Sequence, residues 1–600
     1  MPGEKTQKYL IRELGGLNQG TDPSAIGDNE FERLENMYPR YKRLIRRNGY
    51  TKLTTAGPWD EQINSFFAYK TGAAVWKLLV GGSTKLGYML NNDVTDIAPI
   101  GNAFIAGTML TNRFRWAQYK DAAYLCRKIA GTLYRTNGLT VGIAGIAEPT
   151  AACVIADGPA GDLGAGDYIS VVTFYNVESG AESNPSPESN TLTLGASNNI
   201  NYTSIPVSTN PQVNARRIYR TLANQTGEYY LVATITDNIQ TTLTEDVLQN
   251  DMGDAASFDN GLPPTTCAHL TIWNERMWVT DTVDLFFSEF GLPESYSEFS
   301  VISVRPDDGH TINGLLAFGD ALIIGKTNAT YLVSGTDEAD FSLSTLSDKF
   351  GCRSHDSMAT AEGLAFWFGG DNYYMTDGNN VKAIGDSEIR DLIDGILATD
   401  FPNITGAIVD SLGWYVSGIV SDTVTYYLVY NYRENTWTTL KYNSTNESPL
   451  VIGNFFDEAG AAIVYASLVG TGASYLGHIY EWNAGTTDDG TAIAVDLLTK
   501  RYGLDRDDIL KVVRDVALHT EKIADNITAD VHVDGTSRQS KAINLYTDNP
   551  WKGISVSSVG YPGVYVQLRI RYTGTAAFDL KGFQLKVIDL NRRANKARNI

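Results

Sequence analysis

The hydrophobic positions of this chain come in short runs of apolar and aromatic residues. The runs end at Gly, Asn or Asp and soon give way to another run. Such runs bounded by turn-formers predict β-strands joined by tight hairpins. One unit recurs: a short apolar strand, a polar turn, a second strongly apolar strand, then a third carrying aromatics. It reads as SFFAYKTGAAVWKLLVGG, RWAQYKDAAYLCRK, LTIWNERMWVTDT, LLAFGDALIIGKT, MATAEGLAFWFGGDNYYMTDGNNV, GAIVDSLGWYVSG and NFFDEAGAAIVYAS. Anchored on the second strand, the copies begin at Val75, Ala123, Met277, Leu322, Leu364, Trp414 and Ala462, with gaps of 48, 154, 45, 42, 50 and 48 residues. Taking the 115 residues Pro149–Pro263 out of the long gap leaves 39, in line with the others. Repeats of about 40–50 residues, each worth three or four strands, predict a β-propeller, because one blade cannot bury both its faces and neighbours must stack until the ring closes. The expected fold class is all-β, with a propeller of about six to seven blades. Gly369-Gly370-Asp371 and Asp377-Gly378 stand where hairpin turns need φ > 0, and Arg433-Glu434-Asn435 separates two further strands.

The pattern changes in two places. Within the insertion, AGDYISVVTFYNVESGAESNPSPESNTLTL predicts a long hairpin with a Pro-rich tip at Pro185 and Pro187, followed by the strands NARRIYRT, EYYLVATITD and QTTLTED. About 100 residues of short strands fit a β-sandwich. The segment resembles a fibronectin type III-like domain of the kind common in phage structural proteins. Near the C-terminus the alternation is strict. Val564, Val566, Leu568, Ile570 and Tyr572 alternate with polar neighbours, as do Ile527, Ala529, Val531 and Val533, and again Phe583, Leu585 and Val587. Period-2 alternation means one face buried and one wet, a second β-sandwich. The expected organisation is a strap over 1–58, propeller over 59–148, the inserted domain over 149–263, propeller over 264–487, a C-terminal sandwich over 488–590 and a basic tail over 591–600.

Composition agrees with the all-β reading. The chain has 600 residues, 43% of them hydrophobic, with Tyr 33, Phe 21, Trp 10 and Gly 56. Aromatic and β-branched residues suit pleated surfaces, and Gly, Asn and Asp suit the turns between them. A formal net charge of −21 argues against non-specific nucleic-acid binding, which rests on Lys and Arg. The acidity serves solubility, or a surface that must not hold DNA. Cys126, Cys153, Cys267 and Cys352 are far apart and form no CxxC, so reduced thiols and cytoplasmic synthesis are expected. The opening MPGEKTQKYLIREL lacks the apolar core of an export signal, and no apolar run reaches membrane-spanning length.

Candidate chemistry is sparse. There is no P-loop, GxSxG or HExxH. The six histidines His269, His310, His355, His478, His519 and His532 share no ligand-like spacing, and read as ordinary core or surface residues. The densest acids are Asp307-Asp308 and Asp505, Asp507 and Asp508. Neither group has the regular oxygens and closing Glu of a calcium loop. No catalytic residue, cofactor or metal site is therefore expected. One basic cluster stands out in the acidic chain: Arg40, Lys42, Arg43, Arg46 and Arg47, flanked by Phe31 and Tyr50. It reads either as a solvated face or as a docking site for an acidic partner or another copy of the chain.

That cluster ends the stretch GGLNQGTDPSAIGDNEFERLENMYPRYKRLIRRNGYTKL, which resembles the N-terminal pattern of tail nozzle, or hub, proteins of short-tailed bacteriophages. The matching positions are Gly16-Leu17-Asn18, then Asp28-Asn29-Glu30-Phe31 with Leu34, Asn36 and Met37, then Leu44, Arg47, Gly49 and Tyr50. A second matching stretch runs from GDALIIGKTNATYLVSG through DNYYMTDGNNVKAIGDSEIRDLI. The resemblance implies a virion protein assembled in the host cytoplasm. It implies a homohexameric ring below the portal and its connector, contact with fibre, spike or needle proteins, and a distal face near the host surface. DNA would pass through the ring without specific binding, and an acidic lumen would let it slide. The strap would pin the propeller to a neighbour. Two other readings remain open: a receptor-binding tail adhesin, and a propeller glycoside hydrolase with acids aimed at its central channel.

Overall fold

The repeat unit is a four-stranded antiparallel sheet, and the described residues form seven, the second carrying an extra parallel strand at Ala98–Pro99. The computed structural model describes residues 6–54, 59–82, 84–90, 93–99, 113–128, 131–195, 197–386, 388–420, 425–442, 448–456, 460–469, 477–504, 509–556 and 561–593. Blades 1 to 6 span 65–96, 114–143, 269–303, 312–347, 359–383 and 405–440, and blade 7 is built from 448–482 with one added strand, Tyr50–Lys52. Each of the seven anchors lies within one residue of the start of its blade's second strand. First strands of successive blades pack side by side, and blade 7 returns to blade 1, so the ring is closed. Between blades 4 and 6 the place beside the axis is taken by the 3-10 turn His355–Ser357.

Blade faces explain the apolar runs. A second strand lies mid-sheet with a blade on either side, so both its faces are covered and alternation disappears. Ala122–Arg127 and Arg276–Thr280 are buried at every position. Trp278, Trp367, Trp414 and Trp437 are among the largest fully buried side chains of the blades. The indole N–H groups of Trp367 and Trp437 donate to the Gly351 and Ile384 carbonyls at 2.9 and 2.6 Å, so these two buried donors each have an acceptor.

The C-terminal region folds as two sheets around one core. One contains Ile509–Thr520, Trp551–Ser555 and Asp579–Arg593. The other contains Thr491–Thr499, Asn526–Val533, Thr536–Asn544 and Val566–Gly574. The alternating residues Val531, Leu568, Ile570, Phe583, Leu585 and Val587 point into it.

The opening stretch departs from expectation. It is not a strap reserved for a neighbour; it supplies five strands to other parts of its own chain. Thr6–Arg12 pairs antiparallel with Asp579–Arg593 over seven residues. Phe31–Glu35 pairs with Thr491–Thr499 and touches blade 6 at Thr439. The hairpin Met37–Arg40/Arg43–Arg46 adds to Asp579–Arg593. Tyr50–Lys52 becomes the outer strand of blade 7 by pairing with Tyr480–Trp482. The physical reason is in the side chains: Phe31, Leu34, Met37 and Leu44 are fully buried in the sandwich core.

The inserted segment also holds a correction. Pro185 and Pro187 do not form the tip of a hairpin, because the chain turns earlier, at Gly180 with φ 73°. The Pro-rich run then lies alongside Ser170–Tyr175. Backbone N–H groups of Ser183, Ser186 and Ser189 donate to the Phe174, Val172 and Ser170 carbonyls. The hydroxyls of the same serines accept from the N–H groups of Phe174, Val172 and Ser170 at 3.0 Å each. Pro fixes an extended, three-residue turn of backbone. Every third residue therefore faces the strand, and serine at each of those positions supplies both partners. The remaining strands of the insertion close over a core of Ile155, Tyr168, Val172, Ile200, Tyr202 and Ile218.

Candidate functional site at the propeller axis

Arg113 and Arg115 sit at the start of the first strand of blade 2, two residues apart. That spacing puts both side chains on one face of the strand, toward the axis. Across the axis stands the turn His355–Ser357 with Asp356. The Asp356 carboxylate accepts from Arg113 Nη1 and from Arg115 Nε, each at 3.2 Å, and Lys128 Nζ lies 3.9 Å away. Arg115 also donates to the Ala268 carbonyl, and Lys128 to the Pro402 carbonyl and Asn403 Oδ1. The His269 and His355 rings meet with centroids 4.8 Å apart.

Two cavities flank this group and share Arg115 and His355. One, of about 240 Å³, is lined by Asn64, Ser65, Arg113, Asp356 and Thr405 among others. The other, of about 290 Å³, is lined by Lys128, His269, Asp281, Asn313 and Arg353 among others. Burial sets the protonation states. Burial pushes the Asp356 carboxyl up, but Arg115, Arg113 and Lys128 outweigh it and hold the group well below the usual carboxylate range. Burial, helped by Arg115, brings His355 down to about 3 and His269 well below its ordinary value, so both rings are neutral. Burial also brings Lys128 down to about 8, against the pull of Asp356. Asp356 is thus a fixed anion, the reverse of the proton-holding carboxyl a general acid requires.

The basic cluster expected to dock a partner divides in two. Arg47 and Asp488 form a bidentate pair at 2.7 and 2.6 Å with both side chains 2% exposed. Arg47 also donates to Asn36 Oδ1 at 2.8 Å and lies 4.5 Å over the Tyr442 ring. Arg46 donates to the Gly574 and Thr486 carbonyls at 3.0 and 2.8 Å. Phe31 and Tyr50 are core residues. These four hold the chain to itself and present no docking surface, a correction that follows from their burial. Of the other three, Arg43 pairs with Asp579 at 2.7 Å, Lys42 pairs with Glu13 at 2.9 Å, and Arg40 lies over Tyr41. Asp308 pairs with the fully buried Lys326 at 2.6 Å, while Asp505, Asp507 and Asp508 lie outside the described residues, as do 594–600 of the basic tail. Among the described residues no three His, Cys, Asp or Glu side chains are grouped to hold a metal ion.

The axial residues gave one signal in the sequence, the Arg-Phe-Arg alternation of 113–115. Its partner Asp356 lies far along the chain, so only ring closure brings them together.

No family model matches the chain, and no curated protein sequence does. Solved structures give low-level similarity. An extracellular domain of a putative one-component system from B. thetaiotaomicron aligns at 11% identity and TM-score 0.26, over 94% of this chain and 63% of that one. This chain thus spans under two thirds of that domain. PorZ, a surface component of the type-IX secretion system of Porphyromonas gingivalis, aligns at 9% identity and TM-score 0.24, over 94% and 87%. Apo AztD from Citrobacter koseri aligns at 8% identity and TM-score 0.28, over 73% and 96%. At these scores the similarities carry no functional argument.

Proposed function

We propose that the chain is a structural component of a short-tailed phage virion, the nozzle or hub ring that continues the DNA channel below the portal and connector and anchors fibres, spikes or needle. The observation that carries the reading concerns the opening stretch. The segment whose pattern resembles nozzle proteins is the one that locks this fold, joining the sandwich, blade 6 and blade 7. Strands far apart along the chain, Thr6–Arg12 and Asp579–Arg593, share one sheet, which suits a part that must hold together under load. The axis of a single propeller is crossed by Arg113, Asp356 and Arg115, so the DNA passage in this reading runs between copies. The net charge of −21 then suits walls that do not hold a polyanion. A contact surface between copies is on offer as well. The connection between the last two strands of blade 3 exposes three large apolar residues, Phe290 (62%), Leu292 (42%) and Phe299 (87%), and exposed apolar surface of this kind suits an interaction site. The clamped state of Asp356 favours this reading over a propeller glycoside hydrolase.

The test is copy number in purified particles by quantitative mass spectrometry against the portal subunit. One chain per two portal chains is the expected result. Absence from the particle sinks the proposal, and a threefold stoichiometry with many copies replaces it with a fibre or adhesin.

A further inference from the structure

The axial group is out of charge balance. Its lining side chains include four cations, Arg113, Arg115, Lys128 and Arg353, and two carboxylates, Asp356 and Asp281. Asp281 is already engaged: its Oδ1 accepts from the Val283 and Asp284 N–H groups at 2.8 Å. Among the described residues Asp356 is therefore the one carboxylate paired with Arg113, Arg115 and Lys128, whose side chains are no more than 12% exposed. Buried charge is stable only when paired, and this excess sits inside a strongly acidic molecule.

Unused hydrogen-bond donors point the same way. Arg113 Nε and Ser65 Oγ are buried beside the first cavity without a partner among the described residues, and so is Arg353 Nε beside the second. Buried polar groups left unpaired in a native fold call for an explanation, such as an ion. Guanidinium groups present forked N–H donors that match tetrahedral oxyanions, and a lysine ammonium adds a point charge. Both cavities exceed the roughly 30 Å³ share of one water several-fold, and neither reaches the size of a typical drug-like pocket.

We propose that the second of these cavities is a binding site for a small oxyanion of the phosphate class, held by Arg115 and Lys128, with Arg353 as a further donor. Asp356 then acts as the positioning residue that aligns the Arg115 guanidinium and limits affinity by sharing it and Lys128. The inference does not rest on the virion reading, since it concerns the axis of a single chain.

The test is titration calorimetry of the full chain with inorganic phosphate, with sulfate, and with glycerol 3-phosphate, at constant ionic strength against chloride. Saturable binding of phosphate and sulfate near one per chain is expected. Binding of the ester alone assigns the site to a phosphate ester in place of the free ion, within the same chemistry. Lys128→Gln should weaken binding at least tenfold. Asp356→Asn should tighten it at least tenfold, because it removes the competing anion; a misfolded variant cannot produce tighter binding. Heats no different from chloride in the wild-type chain overturn the proposal. So does binding that Lys128→Gln and Asp356→Asn leave unchanged.

Discussion

Replacing Asp488 with Asn removes the only carboxylate paired with Arg47 among the described residues. The change retains the side chain's shape and leaves a guanidinium in a place where both partners are 2% exposed. Breaking a buried ion pair from one side costs about 3–5 kcal/mol. Arg47 keeps Asn36 Oδ1, the Asn48 and Lys441 carbonyls and the Tyr442 face, which places the loss near the lower end, about 3 kcal/mol. The cost falls on the docking of 31–52 and not on the whole molecule, so hydrogen exchange is the right assay. At 1.4 kcal/mol per tenfold, amides of Phe31–Glu35 and Tyr50–Lys52 should exchange about 100-fold faster. Amides of Ser170–Tyr175 in the insertion should not change. The double variant Arg47→Met/Asp488→Leu should recover most of the protection, since apolar replacement of a buried pair is often neutral. A change below threefold in the single variant, or a double variant no better than the single, refutes the claim that this pair holds the opening stretch in place.

Four further outcomes follow from the geometry. A Cβ at Gly49 would lie 1.7 Å from the Thr487 carbonyl oxygen, so Gly49→Ala should cost at least the roughly 1–3 kcal/mol of overpacking, read by chemical unfolding and by tryptic release of 1–52. His355 sits at about 3 when folded against about 6.5 when unfolded. The unfolded chain therefore takes up a proton the folded chain refuses. The His355 contribution to stability should be full above about pH 6.5 and fall toward pH 3 by roughly 1.4 kcal/mol per pH unit, and His355→Gln should reduce the slope of the pH profile of unfolding by that amount, leaving the part due to His269. All four cysteines are buried, and burial pushes Cys153 up to about 11 and Cys352 up to about 12. A thiol reagent at neutral pH should find no reactive group until denaturant is added, and then four. Phe299→Asp, on the exposed patch of blade 3, should leave the melting temperature unchanged and reduce incorporation into particles, measured by complementation and mass spectrometry; wild-type incorporation would remove that patch from the assembly argument.

The propeller was legible because its repeat is local. Each hairpin carries its own apolar run and its own turn, as in Leu364–Phe368 turning through Gly370 into Tyr373–Thr376. The insertion was legible by its interruption of the spacing, though its Pro-rich run misled. Pro usually punctuates turns, and the serine period of 183, 186 and 189 was the signal that it continued alongside a strand. The roles of Arg46, Arg47, Phe31 and Tyr50 were not legible, since a basic cluster looks the same whether it faces water or a distant carboxylate. Asp488 is remote in sequence and shares no pattern with Arg47. The axial site was hidden for the same reason: Arg113 and Asp356 belong to different repeats and meet only when the ring closes.

The wiring of the opening stretch has a consequence for the order in which the molecule forms. Thr6–Arg12 leaves the ribosome well over 500 residues ahead of its partner, Asp579–Arg593. Synthesis at about 5–20 residues per second separates them by roughly half a minute to two minutes. Throughout that interval the strands of 6–52 have open edges, and such edges are templates for pairing with other chains. Blade 7 cannot be completed early either, since its outer strand comes from the front of the chain and the rest from the back. Folding therefore ends with a long-range closure that carries a large loop entropy and a slow rate. Lowering the translation temperature, or supplying a chaperone that covers nascent strand edges, should raise the yield of folded chain more than any change in the blades themselves.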